Sequence, residues 1–188
     1  LYQQLIVDLP NLNVRQTQLL PLYTSLFSEL GVGAQDYRAI QPRQSAVSGG
    51  LRMSLSGRTT LADKQSAQAH LVINGKALVH HQGAFQKLLK DTFFDLRFDE
   101  SARVRDLVAQ MKTRWEGSIT GQGHALAMAP AARGCSALAA FQQRHSGLAG
   151  IRFFKQLHEQ QSQAGATDAL LAELAGIHAL VLQSPRQL

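Results

Sequence analysis

Seven histidines, one cysteine and thirteen acidic residues are the groups in this 188-residue chain best suited to chemistry. The histidines are tested first, because a helix that holds a catalytic zinc presents two of them on one face with a glutamate beside them. The residue three places beyond each histidine is Ile73, Gly83, Ala84, Ala127, Leu148, Gln161 or Val181, never the glutamate that H-x-x-E-H requires. His158-Glu159 opens H-E, but Ser162 stands where H-E-x-x-H needs its second histidine. His80 and His81 are neighbours, and on a helix adjacent side chains diverge by about 100°. All seven therefore read as ordinary surface histidines, and the segment is expected to bind no metal and no cofactor.

Nucleophiles fare no better. Ser48-Gly49-Gly50 sets a serine beside glycines, but it is not the G-x-S-x-G elbow and reads as a helix end. Cys135 has no partner for an internal disulfide and sits in an alanine-rich helical context, where a small buried thiol is expected. Asp91, Asp95 and Asp99 fall at four-residue steps, as on a solvated helix end, and not as a catalytic acid/base pair. Neither GxxxxGK[ST] nor a strand followed by GxGxxG occurs, so nucleotide binding has no support. No catalytic residue is assigned.

The elements that would position any site follow from periodicity. In residues 1–10, Leu5, Val7 and Leu9 alternate with Gln4, Ile6 and Asp8, which predicts a half-buried strand ending at Pro10. Leu19, Leu22, Tyr23, Leu26, Phe27 and Leu30 recur at helical spacing, with Gly31 as C-cap. The next helix, about 34–48, must kink or restart at Pro42 and stops at Gly49-Gly50, where both glycines can take φ > 0. At once a strand begins, Leu51, Met53 and Leu55 alternating with Arg52, Ser54 and Ser56.

Gly57 to Lys64 reads as a polar connection. A third strand follows, with Ala67, Ala69, Leu71 and Ile73 against Gln68, His70 and Asn74, closed by an Asn74-Gly75 turn. Beyond it the stripes are helical: Phe85, Leu88, Leu89 and Phe93; then Val104, Leu107, Val108, Met111 and Trp115, opened by Asp99 and Glu100. Gly117, Gly121 and Gly123 would interrupt that helix, which could run to about Arg133, with a kink or a close helix contact. Leu148, Ile151, Phe154 and Leu157 form one further stripe and Leu170, Leu174, Ile177 and Val181 another. The fold class is a two-layer α/β (α+β) domain, a mostly antiparallel sheet with helices packed on one face.

The length suits a single domain over 1–188, and 45% hydrophobic content can build one core. No run approaches the ~18 to 20 apolar residues of a membrane span. The absence of a basic leader with a cleavage site favours a cytoplasmic location. Residue 1 is a leucine already inside a strand pattern and Ser184-Pro185 resembles the start of a linker, so the chain is expected to be cut from a longer polypeptide. The net charge of +6, 19 basic against 13 acidic residues, favours anionic partners. The charges are dispersed, however, and not interleaved with aromatics, so a solvated basic surface is favoured over nucleic-acid binding.

The order of these pieces resembles the pitrilysin-like (insulinase) zinc peptidases, in their presequence-protease branch. LYQQLIVDLP followed by LLPLYTSLFSELGVGAQDY is similar to that family's strand and the helix ending in a glycine turn and a D-Y pair. SAVSGGLRMSLS is similar to its T-G-G-I-S-x-S element. The run from Arg103 to Leu157 carries S-I-x-x-x-G-H-x-x-A and G-L-x-x-I-x-F in the same order. The resemblance implies four related α/β domains forming two bowl-like halves, with zinc in the first and this segment as the third, non-catalytic one. H-x-x-E-H is missing, so no catalytic residue is carried over and the segment alone is expected to be inactive. Its implied partners are the remaining domains and peptide substrates, with neither nucleic acid nor membrane.

Helices would cover the sheet face bearing Leu5, Val7, Met53, Leu55, Leu71 and Ile73, leaving Gln4, Asp8, Arg52, Ser54, Ser56, Gln68 and His70 on the other. Arg52, Ser54, Gln68 and His70 are the candidate chamber-facing residues; plain solvent exposure explains such a face equally well. The competing class is a stand-alone interaction module that binds an acidic partner or nucleic acid through the +6 charge.

Overall fold

A computed structural model describes residues 1–59, 63, 66–121, 123–132 and 134–188. Strands β1 (Tyr2–Asp8), β2 (Leu51–Thr59), β3 (Ala67–Lys76) and β4 (Arg186–Gln187) form an antiparallel sheet in the order β2-β3-β1-β4. The helices are α1 (Val14–Leu26), α2 (Tyr37–Val47), α3 (Gln82–Phe94), α4 (Ser101–Gly121), α5 (Gly123–Ala132), α6 (Ala137–His145), α7 (Gly147–Gln160) and α8 (Ala166–Gln183). Leu5, Val7, Leu51, Met53, Leu71 and Ile73 are buried on one sheet face, in one cluster with Leu19, Tyr23, Phe85, Phe93, Phe154 and Ile177 from the helices. The two-layer antiparallel architecture is thus the one that the alternation predicts.

The junction of α2 and β2 behaves as its residues dictate, with one correction. Only Gly50 takes a positive φ, +120°, which a side chain would strain. Gly49 stays in an ordinary conformation and its N–H donates to the Lys76 carbonyl at 2.8 Å. The Asn74-Gly75 pair is not a turn. Both lie inside β3, Asn74 between Gln4 and Arg52 and Gly75 between Gln3 and Leu51. A Cβ on Gly75 would come within 2.3 Å of Phe85 Cζ, so the glycine is there to let an aromatic ring from α3 lie on the sheet.

Helix boundaries differ from the periodic reading for local reasons. Helix α1 begins at Val14, ahead of the predicted Leu19, because Asn13 and Gln16 close a capping box, and it ends at Leu26, short of Gly31. Helix α2 starts at Tyr37, capped by the Asp36 side chain, and accepts Pro42. Gly57 to Thr59 extend β2; part of the predicted polar connection lies outside the described residues. Residue 122 and Arg133 lie outside them too. A Cβ at Gly117, Gly121 or Gly123 would meet nothing within 4 Å, so the close contact predicted there is absent. Leu148 is 38% exposed, which removes it from the predicted α7 core stripe, and Ser184-Pro185 leads into β4, where a linker was predicted. Helix α8 is apolar over 18 residues, yet it buries Leu170, Leu174, Ile177 and Val181 in the domain core.

Glu100 serves a neighbouring helix. Its carboxylate accepts from Gly31 N–H at 2.7 Å and Tyr37 N–H at 2.8 Å, holding the turn between α1 and α2 and neutralising the positive end of α2. Glu100→Ala removes both acceptors. Water reaches part of this site, so the expected loss of stability is about 1 to 2 kcal/mol, read as a lower denaturation midpoint at an unchanged denaturant slope. No change in midpoint would contradict it.

Candidate sheet-face site

The sheet face away from the helical core carries the even-numbered residues of β1, β2 and β3, because side chains alternate with period 2. The register arranges them in rows across the strands. Tyr2 faces Lys76; Gln4, Asn74 and Arg52 form the next row; Ile6, Val72 and Ser54 the third; Asp8, His70 and Ser56 the fourth; Gln68 and Arg58 the last. From Lys76 to Gln68 this surface runs roughly 26 Å along β3, the length of about eight residues of extended peptide.

Of the four predicted residues, Arg52 and Gln68 are exposed while Ser54 and His70 are half-buried. All four share this face, but they form no single cluster, since each occupies a different row. His70 Nε2 stands 3.5 Å from Asp8 Oδ1. Ser54 Oγ donates to the Val72 carbonyl at 3.3 Å, and Gln4 Nε2 donates to Asn74 Oδ1 at 3.0 Å. Arg52 makes no ion pair among the described residues. A shallow depression of about 420 Å³ runs over Gln4, Ile6, Asp8, Ser54, His70 and Val72.

Residue-by-residue reasoning passes over the centre of this face. Ile6 and the buried Val72 put an apolar row between polar ones, and Arg58 and Lys76 add two exposed cations to Arg52. The same alternation that places Gln4 and Asp8 outward places Ile6 there too, so the signal is present in the sequence. Asp8 is the sole acid in these rows, and the face is cationic with an apolar middle. It can hold extended polypeptide by hydrogen bonds, side-chain burial and charge; Ser56 stands opposite His70 in the fourth row, but no hydrogen bond joins the two side chains among the described residues.

No three histidine, cysteine or acidic side chains converge among the described residues. The histidines are scattered over β3, the Val79–His81 turn, α5, α6, α7 and α8. The His80 and His81 rings lie together, centroids 4.1 Å apart, instead of diverging. His178 is not a surface residue. It is 6% exposed, shares a 2.9 Å hydrogen bond with Tyr23 Oη, and burial depresses its pKa to about 4. His145 is half-buried, its Nδ1 2.9 Å from the Phe141 carbonyl oxygen. Cys135, expected inside, is exposed in the turn between α5 and α6.

Many cations are already paired: Arg15 with Glu173, Arg43 and Lys87 with Asp91, Arg97 with Asp99, Arg103 with Glu29, Lys112 with Glu116. The three acidic residues that read as a helix-end series therefore separate, Asp91 and Asp99 into ion pairs and Asp95 onto the C-cap of α3.

A family model described as "Peptidase M-16C associated" matches residues 1–157. "Presequence protease, mitochondrial" of Danio rerio is 29% identical over 139 residues, 74% of this chain and 14% of that protein. The protein of the same name from Yarrowia lipolytica is 26% identical over 148 residues, 77% and 14%, and that from Xenopus tropicalis 23% over 164, 87% and 16%. The chain thus spans about one seventh of the length of these relatives. Their names print a mitochondrial location, which overturns the cytoplasmic expectation.

Proposed function

The chain belongs to this peptidase-associated family, and from that premise we propose that it is a non-catalytic domain, third of four, in a zinc-dependent peptidase. Its role is to supply one wall of the chamber that encloses peptides while another domain cuts them. The zinc ion and its ligands belong to that other domain, and this chain's own residues bind and orient. The observation that carries the reading is the uncovered sheet face, long enough for about eight extended residues, cationic at Arg52, Arg58 and Lys76 and apolar at Ile6 and Val72.

Arg52 is the residue placed to meet an acidic side chain or a carbonyl of a confined peptide, since it stands clear of any ion pair among the described residues. A guanidinium contact of this exposed kind contributes about 0.5 to 1.5 kcal/mol. In the full-length peptidase, Arg52→Glu should therefore raise KM for acidic peptides by about 2- to 12-fold while leaving kcat nearly unchanged, because uniform binding affects KM. Basic peptides should be unaffected or improved. Equal kinetics for acidic and basic peptides would remove Arg52 from the peptide path.

A further inference from the structure

Along β1 the outer edge of the sheet is only partly paired among the described residues. Strand β4 pairs with β1 only at Val7↔Arg186 and Ile6↔Gln187. Asp8 N–H donates outward to the Pro185 carbonyl, whereas Leu9 N–H donates to Ala69 on the β3 side. By alternation, the N–H and C=O groups of Tyr2 and Gln4 point outward along that edge beyond β4, where no described strand meets them. Beside them, between β1 and α3, runs a groove of about 490 Å³ lined by Leu5, Leu89, Phe93 and Phe94. Phe94 is 45% exposed in it, and Gln3 Oε1 is buried there without a hydrogen-bond partner. Lys90 and Arg186 stand at its rim. Neither pairs with a carboxylate among the described residues; Arg186 lies over the Phe93 and Phe94 rings instead.

We propose that this edge is completed by an extended strand of the same polypeptide from outside residues 1–188, running antiparallel to β1 in the register that β4 sets. The inference rests on the reading of the chain as one domain of a longer peptidase. The incoming strand pairs with the open groups of Gln4 and Tyr2. Its residue opposite Gln3 points into the groove and is apolar, since partners in a ladder share a face. A donor from it satisfies Gln3 Oε1, and an acidic side chain meets Lys90 and Arg186. A strand of the same polypeptide is favoured over a free peptide because it is held at high effective concentration and joins a ladder whose first positions β4 already occupies.

Amide hydrogen exchange of the full-length peptidase without substrate, read at single-residue resolution, tests this. The Gln4 amide should exchange at least about 100-fold more slowly than an open amide, and Phe94→Asp should return it to fast exchange while Ile6 and Asp8 stay protected. Fast exchange at Gln4 in the unaltered protein overturns the proposal. Protection that appears only after peptide is added assigns the edge to substrate, and protection that rises with protein concentration assigns it to a second copy; either result also overturns it. None of these outcomes depends on Arg52 kinetics, so failure here is separable from failure of the chamber reading.

Discussion

Replacing Phe85 by alanine is expected to lower the unfolding free energy by about 3 to 5 kcal/mol, the range for removing a large buried aromatic from a packed core. The ring is fully buried and lies on the sheet over Gly75, where an added Cβ would be 2.3 Å from Cζ. Gly75→Ala alone should cost about 1 to 3 kcal/mol, because the clash is with a ring that has no room to withdraw. In the double variant the new methyl occupies space the ring has left, so the two losses should sum to less than their separate values. Denaturant titration of the four proteins measures this coupling. Strict additivity would mean that the two positions do not touch in solution.

That contact also marks what can be read from the sequence in advance. The two sheet faces, the α3 and α8 stripes and the break at Gly49-Gly50 follow from periods of 2 and 3.6, which are local properties. Asn74-Gly75 has the composition of a turn, and only the approach of a helix from later in the chain reveals it as strand. The capping box at Asn13 and Gln16 is a local signal that the apolar periodicity alone passes over. His178 is also within reach: it lies four residues after Leu174 and three before Val181, on the buried stripe itself. Cys135 falls outside the reading because its alanine-rich surroundings suggest one continuous helix where the chain turns.

The second large effect is acid sensitivity. Burial among Tyr23, Phe93 and Phe98 holds His178 at a pKa of about 4, a carbonyl from Phe93 working weakly the other way. The ordinary value is 6.5, so between pH 6.5 and 4 the unfolded chain takes up a proton that the folded chain refuses. Stability is then complete above pH 6.5 and falls as pH drops towards 4, by about 3 kcal/mol at about 1.4 kcal/mol per pH unit. Asp91 and Asp99 add a second loss at lower pH. Burial pushes the Asp91 pKa up, but hydrogen bonds from Arg43 and Lys87 outweigh it; the hydrogen bond from Arg97 lowers that of Asp99. Both contributions are present above the ordinary carboxylate pKa and disappear as pH falls below it.

The double change Tyr23→Phe and His178→Leu removes the titrating ring together with its hydrogen-bond partner, leaving no orphan between them. Its stability should fall less steeply from about pH 6.5 to 4, the remaining loss including that from His145, whose pKa burial also lowers, and should still decline below that. Denaturation midpoints at closely spaced pH steps provide the measurement. An undiminished slope after the double change would assign the acid loss to groups other than His178.

The central claim is that the cationic, apolar-centred sheet face looks onto bound peptide. In the full-length peptidase, with its cutting step disabled so that peptide persists, a photo-crosslinking residue at position 54 replaces Ser54 in the middle row. A second protein carries the same group in place of Gln110, exposed on α4. Illumination with an acidic peptide of about ten residues, long enough to span the face, should attach the peptide at position 54 and not at position 110, and excess unlabelled peptide should suppress the product. Labelling at 110 but not 54, or at neither, would contradict the claim.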